Sequence, residues 1–201
     1  MYRPPFQLRP NTSRGKKFFI LIMIEEDLDA LNFIQECNQI SPETTTHLQR
    51  ESARHFSPME NISRLDADRI VHRGLLSCHP SSTVSASFPK LPDTIGFGEF
   101  NGWKGGLYIT PTAQSADELN PFLNWLSQLD ISGTVTEKTL LHLSLYRFRG
   151  SQKKRTNVYN SCVERIRTGS KCVHPTGRVR VKSIILKEQE LEYDDCYVLA
   201  D

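Results

Sequence analysis

The feature that most constrains the fold is an unbroken apolar run, FFILIMI, at residues 18–24. Its seven residues fall far short of the roughly 20 that a membrane-spanning helix needs. Acidic residues follow it directly, at positions 25–27. A run of this length and composition predicts a β-strand that is buried on both faces. The chain is therefore expected to contain a sheet in which at least one strand is covered on both sides.

Strand and helix signals recur along the rest of the chain. Helices are predicted at about 26–37, 64–76, 115–127 and 159–166, and strands at 53–59, 88–100, 105–110, 139–148, 179–186 and 196–199. Each half has a strand, a helix and a short strand with a His-x-Ser sequence, which favours the α+β class with two similar lobes. Residues 1–16 are predicted to be a flexible basic arm, and 17–201 a single domain.

Two of the predicted helices have specific side-chain patterns. Ser115 with Glu118 has the form of a capping box. The apolar positions after it, Leu119, Phe122, Leu123 and Leu126, recur at helical spacing. The helix at 64–76 is expected to make its apolar contacts through Leu65, Ile70, Val71 and Leu75.

The charge distribution is asymmetric although the net charge is only +2. Residues 147–187 hold twelve Lys or Arg and one acid, Glu164, whereas residues 188–201 hold six acids and no base. Such a basic block suits a polyanionic partner, either nucleic acid or a nucleotide phosphate. The alternative is a solvated basic surface with the acidic tail folded beside it.

Composition also sets expectations for environment and partners. With 38% hydrophobic and 24% charged residues, the sequence is typical of a soluble globular protein without membrane association. Five cysteines without a CxxC pair favour a reducing compartment, cytoplasm or nucleus. Cys172 and His174 would form half of a metal site, but no second half has matching spacing, so neither a metal nor another cofactor is expected. We also expect a monomer without an obligate protein partner.

Two segments combine strand periodicity with polar chemistry. In LLHLSLYRF, residues 140–148, alternation puts His142, Ser144 and Tyr146 on one face and leucines on the other. His55 and Ser57 repeat the spacing within RHFSPM. If these strands lie side by side, two imidazoles and two hydroxyls can reach one phosphate. The alternative is that each histidine is a structural core residue whose hydrogen bonds are satisfied within the protein. Two imidazoles can act as acid and base on a phosphodiester without a metal.

Chance alone does not account for these pairs. Four of the six histidines precede Ser or Thr by two positions, where about one is expected by accident. The pairs that begin at His79 and His174 have proline in the middle and lie in turn-like sequence, so we interpret them as accidental. The other two have Phe56 and Leu143 in the middle, as a strand requires.

The second segment resembles a signature of the 2H phosphoesterase superfamily: a histidine, a hydrophobic residue, Ser or Thr, another hydrophobic residue, and often Arg five places after the histidine. Arg147 occupies that place. The order of segments along the chain also resembles the superfamily, especially its 2′-5′ RNA ligase-like group and the central domain of A-kinase anchoring proteins. These segments are FFILIMI, RHFS, IGFGEFNGWKGGLYITP, ADELNPFLNWL and HLSLYRFR. The resemblance covers about residues 17–199. Pro58 departs from it, because a hydrophobic strand residue usually stands there.

The resemblance implies a bilobal fold, with two similar lobes of antiparallel sheet, helices outside and a central cleft. It implies a metal-independent phosphodiesterase that cleaves 2′,5′-linked or 2′,3′-cyclic phosphodiesters of nucleotides or RNA, with His55 and His142 as catalytic acid and base. Substrate contacts are then expected from Ser57, Ser144, Tyr146 and Arg147. Two alternatives remain open: a non-catalytic RNA- or nucleotide-binding module on the same fold, and a 2′-5′ RNA ligase.

Overall fold

A computed structural model describes nine stretches of the chain: residues 17–26, 46–48, 54–80, 88–103, 106–148, 151–157, 159–160, 178–189 and 196–200. Within them lie nine strands, which are β1 Phe18–Glu26, β2 Thr46–Leu48, β3 His55–Ile62, β4 Thr94–Trp103, β5 Gly106–Pro111, β6 Thr134–Val135, β7 Leu143–Phe148, β8 Arg178–Glu188 and β9 Tyr197–Ala200. Two α-helices are α1 Arg64–Arg73 and α2 Ala113–Ser127, and short 3₁₀ helices span Leu75–Cys78 and Lys138–Leu140. These elements confirm the α+β class.

All the described strands belong to one antiparallel sheet. Its order is β2-β7-β5-β4-β8-β1-β3-β6, and β9 pairs with β8. β3 and β7 stand near opposite ends of this order, yet their Cα atoms come within 8 Å of one another. The sheet is therefore curled so that the two strands that carry the His-x-Ser segments meet. The division into two similar lobes is not confirmed, since the strands form a single connected sheet.

The apolar run forms the central strand that its sequence predicts. Ile20, Ile22 and Ile24 of β1 lie in the main core with both helices, whereas Leu21 and Met23 lie in a second buried cluster with Ile185 of β8. Successive side chains of a strand point to opposite faces, so β1 is covered on both sides. We use the term open face only as a name for the side of the sheet opposite the main core, although at β1 that side is covered by the second buried cluster.

The helices are mostly confirmed, with corrections at their ends. Leu119, Phe122, Leu123 and Leu126 are buried as predicted. Ser115 is not the N-cap of α2: Thr112 holds that position and accepts from the Ser115 N–H, while the Ser115 hydroxyl accepts from the Gly96 N–H at 2.8 Å. The expected capping box fails because the helix begins one turn earlier.

The first described helix ends earlier than its periodicity predicts. Gly74 adopts a positive φ of 79° and ends α1 at Arg73, and a 3₁₀ helix follows. Ile70 and Leu75 are buried as expected, but Leu65 is 79% exposed and is not an apolar contact. The predicted contact fails because α1 packs through Ala67 and Ile70 instead.

Several predictions fall on parts of the chain outside the described residues. These include the arm at 1–16, most of the helix expected at 26–37, Cys172 and His174, and residues 161–166. Glu26 itself belongs to β1 and does not begin a helix. The helix expected at 159–166 begins earlier, because residues 152–157 and 159–160 are helical.

Candidate active site

Both histidines lie on the open face of the sheet. His55 is the cross-strand partner of Met23, whereas Phe56 is the partner of Ile22 in the main core. At the second segment Leu141 and Leu143 are each 1% exposed in the main core, so His142 between them and Ser144 after them point away from it. The alternation is therefore confirmed for His55, His142 and Ser144, whereas Ser57 lies within a register shift of β3, where alternation does not fix its facing.

His142 precedes β7 instead of lying within it. The strand predicted at 139–148 begins at Leu143, because residues 138–140 form a 3₁₀ helix. The Nδ1 atom of His142 lies 3.0 Å from the carbonyl oxygen of Leu140, and a carbonyl can only accept a hydrogen bond. Nδ1 must carry the hydrogen, so Nε2 is the nitrogen that can exchange a proton. The 3₁₀ turn thus fixes the tautomer of an exposed imidazole.

Tyr108 is a site residue that the sequence reasoning missed. It lies on β5 directly opposite Ser144, and its ring centroid is 4.9 Å from that of His142, with the two planes at 58°. The following residue, Ile109, is buried in the main core, so Tyr108 and Thr110 point to the open face. The alternating polar positions of GLYIT were the signal that could have located Tyr108.

The first segment is shaped by Pro58 and held by Thr136. The register of β3 against β1 shifts between Phe56 and Met59, so the proline lies at a bulge, where a missing N–H is tolerated. Thr136 donates its hydroxyl to the Ser57 carbonyl at 2.7 Å and its N–H to the Pro58 carbonyl at 2.9 Å. Proline therefore does not end the strand, and Thr136, also missed from the sequence, anchors the bulge beside His55.

A second register shift lies at the other two predicted contacts. Tyr108 pairs with Ser144, but its neighbour Leu107 pairs with Tyr146, so β7 has one extra residue between Ser144 and Tyr146. Arg147 pairs with Gly106. The side chains of Tyr146 and Arg147 lie outside what the structure describes, so their roles as substrate contacts stay predictions.

The described residues contain no group of three or more His, Cys, Asp and Glu side chains arranged to hold a metal ion. Within the same stretches, no helix has the length and apolar character needed to cross a membrane.

The fold is shared with solved structures. No protein-family model matches the sequence, and no curated protein matches it. The structure of Kluyveromyces marxianus Usb1 aligns with a TM-score of 0.56 at 10% identity, over 92% of this chain and 98% of that one. The same protein with uridine monophosphate aligns with a TM-score of 0.53 at 10% identity, over 93% and 99%. A conserved protein of unknown function from Agrobacterium tumefaciens aligns over 100% and 94%, at 12% identity and a TM-score of 0.44.

Proposed function

We propose that this protein is a phosphodiesterase of the 2H type that acts on RNA or nucleotides without a metal. The observation that carries the proposal is the placement of His55 and of His142 with Ser144 on one sheet face, next to strands β3 and β7 that approach each other, with Ser57 in the bulge that follows His55. The shared fold supports it, because Usb1 belongs to the 2H phosphoesterase family. Its structure with uridine monophosphate supports a nucleotide as the ligand.

The chemistry needs one base and one acid. One histidine takes the proton from the attacking oxygen, of water or of a ribose hydroxyl, as that oxygen forms a bond to phosphorus. The other gives a proton to the leaving oxygen as its bond to phosphorus breaks. Ser57 and Ser144 donate to the non-bridging oxygens, where negative charge increases in the transition state. His142 exchanges its proton through Nε2, since Nδ1 is committed to the Leu140 carbonyl.

The finer proposal concerns the linkage. We propose 2′,5′-linked or 2′,3′-cyclic phosphodiesters as substrates, including 2′,5′-oligoadenylate, 2′,3′-cGAMP and RNA cyclic ends. We also propose that a monomer acts on them in a reducing compartment, either the cytoplasm or the nucleus. Two alternative functions compete with this proposal: a non-catalytic binding module on the same fold and a 2′-5′ RNA ligase.

The test is turnover in EDTA on a panel of substrates. The panel holds 2′,3′-cyclic mononucleotides, 2′,5′-oligoadenylate, 2′,3′-cGAMP and a 3′,5′-linked control, each incubated with wild type and with the His55→Ala, His142→Ala double variant. We expect selective cleavage that the double variant lacks. Tight binding without cleavage would favour the binding module, and activity that appears only when Mg²⁺ or Zn²⁺ is added would overturn the metal-independent mechanism.

A further inference from the structure

Three exposed basic residues lie close together along β8, and two of them point to the open face. Arg178, Arg180 and Lys182 are all exposed, while Val179 between the first two is buried in the main core. Since neighbouring side chains alternate between faces, Arg178 and Arg180 point to the open face, on which His55 also lies. Lys182 is the extra residue at a register shift between β8 and β1. We call these three residues the β8 stripe.

The register fixes the position of the stripe relative to His55. His55 pairs with Met23 of β1, Met23 pairs with Ser183 of β8, and Arg180 pairs with Glu25 two residues along β1. Arg180 therefore lies two strands away from His55 across the sheet and two residues further along. Their Cα atoms are about 12 Å apart at ordinary strand spacing and rise. This is too far for Arg180 to hold the phosphate at which His55 would transfer a proton, but it suits a neighbouring phosphate of the same RNA strand.

A cavity of about 440 Å³ lies at one end of the stripe. β4 pairs with β8 up to Arg180, and β9 pairs with β8 from Ile184 onward, so residues 181–183 face a gap between those strands. Lys182 and Ser183 line the cavity together with Lys90, Asp93 and the apolar side chains of Phe88 and Leu91, which pack against the main core. A lining of apolar walls and a few polar groups, at this volume, is typical of a small-ligand site.

We propose that the β8 stripe and this cavity bind the nucleotides of a single-stranded RNA beyond the one that is cleaved. This inference rests on the proposed function and narrows its substrate to an oligonucleotide. The three cations of the stripe and Lys90 of the cavity stand against the carboxylates of Glu25 and Asp93, so the surface has an excess of positive charge that complements a polyanion. A basic track beside a pocket for a base is a general arrangement for single-stranded nucleic acid. The β8 stripe is thus the part of the basic block at 147–187 that we propose binds RNA, and it lies near the C-terminal end of that block.

The test measures binding in the His142→Ala background, so that turnover does not enter. The probes are a fluorescein-labelled oligouridylate of eight nucleotides, followed by anisotropy, and uridine monophosphate as competitor. Arg180→Gln and Lys182→Gln are each expected to weaken binding of the oligomer roughly two- to fivefold. Each should also lower the slope of log K against log salt by about 0.7. Binding of the mononucleotide should stay unchanged.

The matched control is Arg73→Gln, which removes one exposed arginine at the C-terminal end of α1. That helix packs on the main core, on the other side of the sheet. The proposal is overturned if Arg73→Gln weakens oligomer binding as much as Arg180→Gln does, or if neither β8 variant changes it. Failure of the proposed function appears separately, as absence of cleavage in the wild-type substrate panel.

Discussion

Tyr108 is expected to position His142 for catalysis. Two described contacts hold this exposed imidazole, namely the 3.0 Å approach of Nδ1 to the Leu140 carbonyl and the Tyr108 ring at 4.9 Å. An aromatic pair of this kind contributes about 0.5–1.5 kcal/mol. If that energy restrains the imidazole in its reactive orientation, Tyr108→Ala should lower kcat/KM about two- to twelvefold, since 1.36 kcal/mol corresponds to a factor of ten. Tyr108→Phe keeps the ring and should lose less than about twofold.

The assay is steady-state cleavage of the best substrate of the panel by wild type and both variants. Tyr108 is half-buried, so the melting temperature of each variant is measured beside its activity. A loss in Tyr108→Ala at unchanged melting temperature, restored in Tyr108→Phe, is the predicted pattern. Equal loss in both variants would assign the effect to the phenol hydroxyl, and full activity in Tyr108→Ala would refute the positioning role.

Two further predictions concern stability. Leu143 is 1% exposed in the core behind the site, so Leu143→Ala should lower the free energy of unfolding in urea by about 2–5 kcal/mol. Leu140 is 62% exposed, so Leu140→Ala should change that free energy by no more than about 0.5 kcal/mol. Equal losses in the two variants would contradict this placement of the leucines. Burial raises the pKa of Asp66, but the hydrogen bonds from Ser132 and Ser63 and the charge of Arg69 lower it by more, so the net pKa is below its usual value. The ionised carboxylate therefore contributes to folding stability above about pH 4, and this contribution is lost as the pH falls through the lowered pKa. Asp66→Asn should cost about 1–2 kcal/mol at pH 7 and progressively less in acid, and a cost independent of pH between 2 and 7 would contradict the assignment.

The sequence predicted those parts of the fold that depend on side-chain periodicity. The buried strand β1 follows from its unbroken apolar run, the buried positions of α2 follow from helical spacing, and the polar positions of His55, His142 and Ser144 follow from alternation with buried neighbours. These signals are local and strong, because burial acts on every residue of a central strand and on every second or every third to fourth residue elsewhere.

The sequence could not predict features that depend on pairing between distant segments. The register shifts at Pro58 and between Ser144 and Tyr146 arise from how β3 and β7 align with their neighbours. No local pattern encodes such a shift. Thr136 was missed for a similar reason, because its bond to Ser57 joins residues 79 positions apart. The N-cap was predicted at Ser115, but Thr112, three residues earlier, holds that position.

The measurement that tests the central claim most directly is a double-mutant cycle on the two histidines. We predict that His55→Ala and His142→Ala each lower kcat by at least about a hundredfold, because each removes one proton-transfer group. The double variant should be little worse than the weaker single variant, since acid and base act as one unit. His72→Ala, at an exposed position of α1, serves as the control and should retain wild-type turnover. Wild-type turnover in either single variant, or losses that multiply in the double variant, would contradict a two-histidine mechanism at this site.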